Sequence, residues 1–171
     1  MRILSGKWGG RKVFFEENPA THPMGEREKN AMFNMVGDLS DLAVLDWFAG
    51  SGQIGLECLS RGAGKVVFVE KDKKSRVNIK RNLAEFGEAP NSAEVLAEKG
   101  ELDLQFDLIF ADPPYDKFSD FDFSGVAEML TAGGRFVLSS PKNAETPEIS
   151  GMEMLKSNTY AGARISIYQK M

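Results

Sequence analysis

The stretch that decides the fold is Ala43-Val44-Leu45-Asp46-Trp47-Phe48, closed by Ala49-Gly50-Ser51-Gly52 and followed by Gln53-Ile54-Gly55. A short apolar run ending in glycines, with helical spacing after it through Ile54, Cys58 and Leu59 to Gly62, reads as strand, tight turn and helix. The pattern then repeats. Lys65-Val66-Val67-Phe68-Val69-Glu70 is a second buried-type strand, and residues 73–86 place Ile79, Leu83 and Phe86 on one helical face. Asn91 to Leu96 holds a short third strand, and Phe106-Asp107-Leu108-Ile109-Phe110-Ala111 a fourth. A helix across 124–131 is expected to lead through Gly133-Gly134 into Arg135-Phe136-Val137-Leu138-Ser139. The segments 152–157 and 163–169 alternate as half-buried antiparallel strands do. Strands alternating with helices predict an α/β fold with a mostly parallel sheet and ligands beyond the carboxyl ends of its strands.

Upstream, residues 2–15 read as a β-hairpin turning at Gly9-Gly10, with Trp8, Phe14 and Phe15 as its packing. Residues 16–24 read as a loop and 25–37 as a helix with Ala31, Met32, Met35 and Val36 on one face. The 171 residues are expected to form a single domain: a hairpin at 1–15, a loop and helix at 16–38, and a core at 39–171.

Gly50-Ser51-Gly52-Gln53-Ile54-Gly55 is a G-x-G-x-x-G sequence, and Glu70 lies 20 residues past its first glycine. Both features fit a dinucleotide fingerprint. Asp46 argues against it, because a carboxylate just before the turn would repel a pyrophosphate. A cationic ligand reverses that argument. S-adenosylmethionine carries a sulfonium and an ammonium and no phosphate. Asp46 can accept from its ammonium, Glu70 from both ribose hydroxyls, and Gly50 and Gly52 let the backbone approach.

Asp112-Pro113-Pro114-Tyr115 closes the fourth strand on the same sheet edge. Two prolines end the ladder and leave carbonyls free as acceptors. Asp112 and the Pro113 carbonyl can accept from one exocyclic amine, and Tyr115 offers a face for stacking on a heterocycle.

Composition narrows the chemistry. One histidine, His22, and one cysteine, Cys58, leave no internal disulfide and no thiolate or imidazole zinc site, so no metal is expected. His22 reads as a loop residue and Cys58 as core. Met1-Arg2-Ile3-Leu4-Ser5-Gly6 leads into Lys7 and not into an apolar segment, so neither a secretory signal nor a membrane span is expected. The net charge of −4 disfavours a nucleic-acid partner only as a total. Residues 1–15 carry Arg2, Lys7, Arg11 and Lys12 with no acid, and residues 61–82 carry eight bases against Glu70 and Asp72. These are bases by which RNA could be gripped.

Taken together, Asp46-Trp47-Phe48-Ala49-Gly50-Ser51-Gly52, Gly55-Leu56-Glu57, Leu59-Ser60-Arg61-Gly62-Ala63, Val67-Phe68-Val69-Glu70-Lys71-Asp72 and Asp112-Pro113-Pro114-Tyr115 resemble the bacterial RsmD family of 16S ribosomal RNA guanine-N2 methyltransferases. Met1 to Lys7, Gly10-Arg11-Lys12-Val13, Arg27 and Phe33-Asn34 are similar to that family too, whereas His22-Pro23-Met24 stands where it usually has Arg-Pro-Thr. The resemblance implies a Rossmann-like class I S-adenosylmethionine-dependent methyltransferase fold, a seven-stranded sheet with an N-terminal β-hairpin. It implies cofactor binding by Asp46, Phe48, Gly50, Gly52 and Glu70, with Glu98 as the candidate reader of the adenine amino group. It assigns catalysis to Asp112, Pro113 and Tyr115, and contact with ribosomal RNA or the small subunit to Arg2, Lys7, Arg11, Lys12 and Arg27. A cytoplasmic monomer is expected. The rival readings are a DNA adenine amino-methyltransferase and a non-catalytic module that binds cofactor or docks on RNA.

Overall fold

The computed structural model describes residues 1–16, 24–98, 100, 104–160 and 162–171. Seven strands form one sheet: β1 (Ala43–Trp47), β2 (Lys65–Val69), β3 (Ala93–Leu96), β4 (Phe106–Ala111), β5 (Leu130–Pro141), β6 (Met152–Tyr160) and β7 (Ala163–Lys170). Their order is β3-β2-β1-β4-β5-β7-β6. β1 to β5 pair in parallel, and β7 is antiparallel to both β5 and β6. The sheet is therefore mixed, with β7 alone reversed. His22 lies outside the described residues.

The apolar runs of the central strands are explained by burial on both faces. Val44, Val66, Phe68, Leu108 and Phe110 point to one core, and Leu45, Val67, Val69, Ile109 and Ala111 to the other. Each large side chain so buried contributes about 1.5–3 kcal/mol. Helices α1 (Glu26–Val36), α2 (Gln53–Ser60) and α3 (Lys73–Phe86) cover the first face with Met32, Phe33, Val36, Ile54, Leu59 and Ile79. α3 has the limits its sequence gives, because the Asp72 carboxylate accepts the Ser75 N–H at 2.7 Å and starts it.

The second face is covered differently from the expectation. No α-helix spans 124–131; a 3-10 turn occupies Ala127–Met129 and β5 begins at Leu130. Phe123, Val126 and Met129 recur every three residues, the 3-10 period, and the N–H groups of Val126 and Met129 each bond the carbonyl three residues back. Phe123, Val126, Ile149 and Met152 seal this face together with Trp47, Phe48, Phe118 and Phe121.

The N-terminal segment doubles back as a hairpin does, but without a regular two-stranded ladder among the described residues. The N–H groups of Ile3, Gly10 and Val13 bond the carbonyls of Arg11, Ile3 and Met1 around an isolated bridge between Arg2 and Lys12, and Gly6–Trp8 form a 3-10 turn. The reason lies in α2. Glu57 accepts the N–H groups of Leu4 and Ser5 at 2.7 and 3.0 Å, and the Ser60 hydroxyl accepts that of Trp8 at 2.9 Å. Side chains of α2 thus take donors that a second strand would have used. Gly6 has φ +81°, and a Cβ there would lie 1.8 Å from the Ser60 carbonyl oxygen, so only glycine fits. Lys29, wholly buried, sits 3.6 Å from Glu57 and donates to the Arg2 carbonyl at 2.7 Å, tying α1 into the same knot. Trp8 is buried against Phe86, ring centroids 4.9 Å apart, and Cys58 is fully buried. No helix among the described residues is long and apolar enough to cross a membrane.

Candidate active site

Register places the key residues on one sheet edge. Asp46 pairs with Phe68 and Phe110 on either side, so Glu70 and Asp112, just past β2 and β4, flank the end of β1. Asp46 is buried, and its Oδ2 accepts the Gly55 N–H at 2.8 Å. The residue preceding α2, Gly52, has no side chain to cap it, so Asp46 caps the helix from the strand. Burial pushes its carboxyl up to about 7, the Gly55 N–H opposes this, and the charges of Asp112 and Glu70 add to it. Gly52 has φ +76°, and a Cβ there would lie 2.8 Å from Ile79 Cγ1. Phe48 is left-handed at φ +69° without being glycine, a strained conformation held by stacking on Trp47 at 5.0 Å and edge contact with Phe121 at 4.6 Å.

Glu70 is half-buried; its Oε2 accepts the Gly50 N–H and its Oε1 the Asp72 N–H, both at 2.7 Å. Each oxygen keeps a lone pair for a ligand hydroxyl. Glu98 is exposed two residues beyond Leu96, whose carbonyl accepts the Glu70 N–H. Phe118, Phe121 and Phe123 belong to the aromatic cover of the second face.

Pro113 is buried, and Asp112 is half-buried with its carboxyl pushed up to about 6 by burial, against which the Ser139 hydroxyl supports the ionised form. Tyr115 is 39% exposed, and its hydroxyl lies 2.6 Å from Ser139 Oγ. Burial and the Asp112 charge hold the phenol up at about 12, so it stays protonated. Ser139, buried on β5, thus steadies both Tyr115 and Asp112. The sequence reading did not single it out, although a serine pair ending the apolar run of β5 was the available signal. Gln53 was missed as well. It is buried, its Nε2 donates weakly to the Met24 carbonyl at 3.4 Å, and its Oε1 has no hydrogen-bond partner among the described residues.

The basic candidates divide by position. The Met1 sulfur accepts from the Ser51 hydroxyl at 3.5 Å, so the chain starts beside the glycine turn. It runs to Ser60 at the far end of α2, about 12 Å away, and returns through Val13, whose N–H bonds the Met1 carbonyl. Arg2 and Lys12 face each other nearer the site. Lys7 and Arg11 lie near the far end, Lys7 paired with Glu88 at 2.7 Å and Arg11 donating to the Glu85 carbonyl at 2.7 Å. Arg27 is exposed in the first turn of α1.

Three carboxylates therefore surround a glycine turn, and among the described residues no Lys or Arg forms an ion pair with any of them. A pyrophosphate would have to displace Asp46 from the helix N-terminus it caps. A cationic ligand fits: it would relieve the carboxylates, Gln53 Oε1 offers it an unused acceptor, and the nearest atom to a Cβ built on Gly50 is 3.9 Å away. No group of three or more His, Cys, Asp or Glu among the described residues is placed to hold a metal.

The sheet order, the reversed β7 and the glycine turn after β1 are those of class I methyltransferases, and solved structures share the fold. A Haemophilus influenzae crystal structure described as a methylase superposes with a TM-score of 0.79 at 30% identity, covering 99% of this chain and 98% of that one. The YhhF protein of Escherichia coli superposes with a TM-score of 0.81 over 99% and 97% of the two chains, at 24% identity. The profile of the family described as "Conserved hypothetical protein 95" matches residues 1–169, and the chain belongs to that family, the RsmD-like one its motifs resemble. The YlbH protein of Bacillus subtilis is 33% identical over 99% of both chains. "Ribosomal RNA small subunit methyltransferase D" of Haemophilus influenzae and of Escherichia coli are 37% and 35% identical over 67% of this chain, which spans 64% and 60% of their lengths.

Proposed function

We propose that the protein is an S-adenosylmethionine-dependent ribosomal RNA methyltransferase that methylates the exocyclic N2 amine of a guanine in 16S ribosomal RNA. The observation that carries this reading is the set of three carboxylates with no ion-paired Lys or Arg among the described residues, placed around a glycine turn beside an Asp-Pro-Pro-Tyr corner. Family membership and relatives named small-subunit methyltransferase support it.

When bound, S-adenosylmethionine supplies a methyl group made electrophilic by its sulfonium. Asp46 and Gln53 Oε1 hold the ammonium, Glu70 the ribose hydroxyls, and Phe48, Gly50 and Gly52 shape the turn that receives the cofactor. Glu98 stands at the same edge for the adenine amino group. A guanine amine is a weak nucleophile because its lone pair is delocalised into the ring. Asp112 and the Pro113 carbonyl accept its two N–H groups, fix its direction and support the charge that develops on nitrogen. Tyr115, steadied through its hydroxyl, stacks on the base, which must be unpaired or flipped out. Asp112, with its carboxyl near 6, takes the amine proton or passes it to water. Arg2, Lys12 and Arg27 meet RNA phosphates at the rim, while Lys7 and Arg11 fasten the N-terminal segment beside α3.

Transfer of labelled methyl from the cofactor to unmodified 16S ribosomal RNA or small subunits tests the reading. Wild type is expected to transfer, and Asp112→Ala to lose at least about a hundred-fold in kcat. Equal activity of the two proteins would refute it.

A further inference from the structure

We infer that the outer face of α3 is a second RNA contact, which grips the phosphate backbone flanking the target nucleotide. The inference rests on the ribosomal RNA reading above and adds a surface to it. At its centre is Val77, an apolar side chain left 57% exposed. Lys73 and Lys74 precede it by four and three residues, and Lys80 and Arg81 follow it by three and four. On a helix those offsets place all four bases around one residue. All five side chains are exposed. Residues 73–84 contain no acid. Lys73, Lys74 and Lys80 make no ion pair or hydrogen bond among the described residues, and Arg81 pairs with Glu85 at 2.7 Å while lying over the Phe14 ring at 3.8 Å.

A solvated helix face alone does not account for this arrangement, because such faces intersperse both signs of charge. Here residues 73–84 carry one sign only, with acids just at the two ends, Asp72 beside Lys74 and Glu85 beside Arg81, on a chain whose total is −4. The strip starts beside Asp72 and Glu70 at the cofactor edge and runs about 12 Å along the helix. That length spans two or more phosphates of one strand, and the Val77 methyls suit the apolar side of a ribose between them. The N-terminal segment lies alongside, joined to α3 by the reciprocal bonds between Phe14 and Asn82 at 2.8 and 2.7 Å, so its exposed Lys12 widens the same surface.

Val77→Glu tests the inference with little risk to the fold. Glutamate is the better helix former, and at this position it can pair with four bases, so the melting temperature should hold or rise. Affinity for a 16S ribosomal RNA transcript is measured by filter binding at several salt concentrations, with calorimetry of S-adenosylmethionine alongside. Val77→Glu is expected to weaken RNA binding about ten-fold at ~0.1 M salt and to flatten the log–log salt slope by about one or two. Cofactor affinity should stay at the wild-type value, and Val77→Lys should bind RNA at least as tightly as wild type. The double variant Lys73→Gln with Lys80→Gln should repeat the loss. Wild-type RNA affinity and slope in both Val77→Glu and the double variant would overturn the strip while leaving the methyltransferase reading intact. A wild type that binds the transcript yet transfers no methyl to it or to unmodified small subunits would refute the methyltransferase reading, and loss of binding in the variants would still support the strip.

Discussion

The carboxyl of Asp46 titrates near neutrality because it is buried beside two other acids. Capture of a cation should therefore be coupled to loss of its proton. With a value of about 7 in the free protein, the ionised fraction is about a tenth at pH 6 and about nine-tenths at pH 8, so cofactor affinity should improve about ten-fold over that range. The ligand's own amine titrates nearby, and Asp46→Asn controls for it. The variant keeps an oxygen to accept the Gly55 N–H but has no proton to lose. The ratio of variant to wild-type Kd should accordingly rise about ten-fold between pH 6 and pH 8. Calorimetry in two buffers of different ionisation enthalpy would also show proton release by wild type at pH 6.5 in excess of the variant's. The sign for stability is opposite. A carboxyl raised in the folded state favours the fold most below its ordinary value of 3.8, and that advantage fades as pH climbs through about 7. The free Asp46→Asn protein should therefore melt higher than wild type at pH 8, by up to about 4 kcal/mol in stability, and about equally at pH 4. A pH-independent Kd ratio, or an unchanged melting temperature at pH 8, would refute the electrostatic account of this site.

Three further outcomes follow from single contacts. Ser139→Ala removes the partner of the Tyr115 hydroxyl and the group that supports ionised Asp112, so kcat should fall and its acidic limb move to higher pH, measured by a pH–rate profile against wild type. Gln53→Leu removes a buried acceptor that lacks a partner among the described residues; the free protein should be no less stable, while cofactor affinity weakens several-fold in calorimetry. Gly6→Ala would set a Cβ against the Ser60 carbonyl at a left-handed backbone, and chemical denaturation should show a loss of at least about 2 kcal/mol.

Much of this molecule was legible before its structure, for identifiable reasons. β1, β2 and β4 were readable because strands buried on both faces must be continuously apolar, and α3 because Asp72 and Gly87 punctuate its ends. Asp46, Glu70 and Asp112 stood out as carboxylates at strand ends where parallel topology gathers ligands. What stayed hidden depends on distant partners. Trp8 has strand-type chemistry, but its backbone N–H is claimed by Ser60, 52 residues away. Phe123, Val126 and Met129 repeat every three residues, which an α-helical template nearly fits, and the 3-10 turn follows from that difference. Lys29 lies on the same helical face as Met32 and Val36, but a lysine gives no local sign of burial; it is buried because Glu57 meets it from α2. Ser139 and Gln53 acquire meaning only through Tyr115, Asp112 and the glycine turn, which no local pattern brings beside them.

The most direct test of the account is the chemical identity of the methylated product. Unmodified 16S ribosomal RNA, treated with the protein and labelled S-adenosylmethionine, is digested to nucleosides and resolved by mass spectrometry. The arrangement of Asp112, Pro113 and Tyr115 predicts label in N2-methylguanosine, present with wild type and lost with Asp112→Ala. Label in N6-methyladenosine, or label retained with Asp112→Ala, would contradict it.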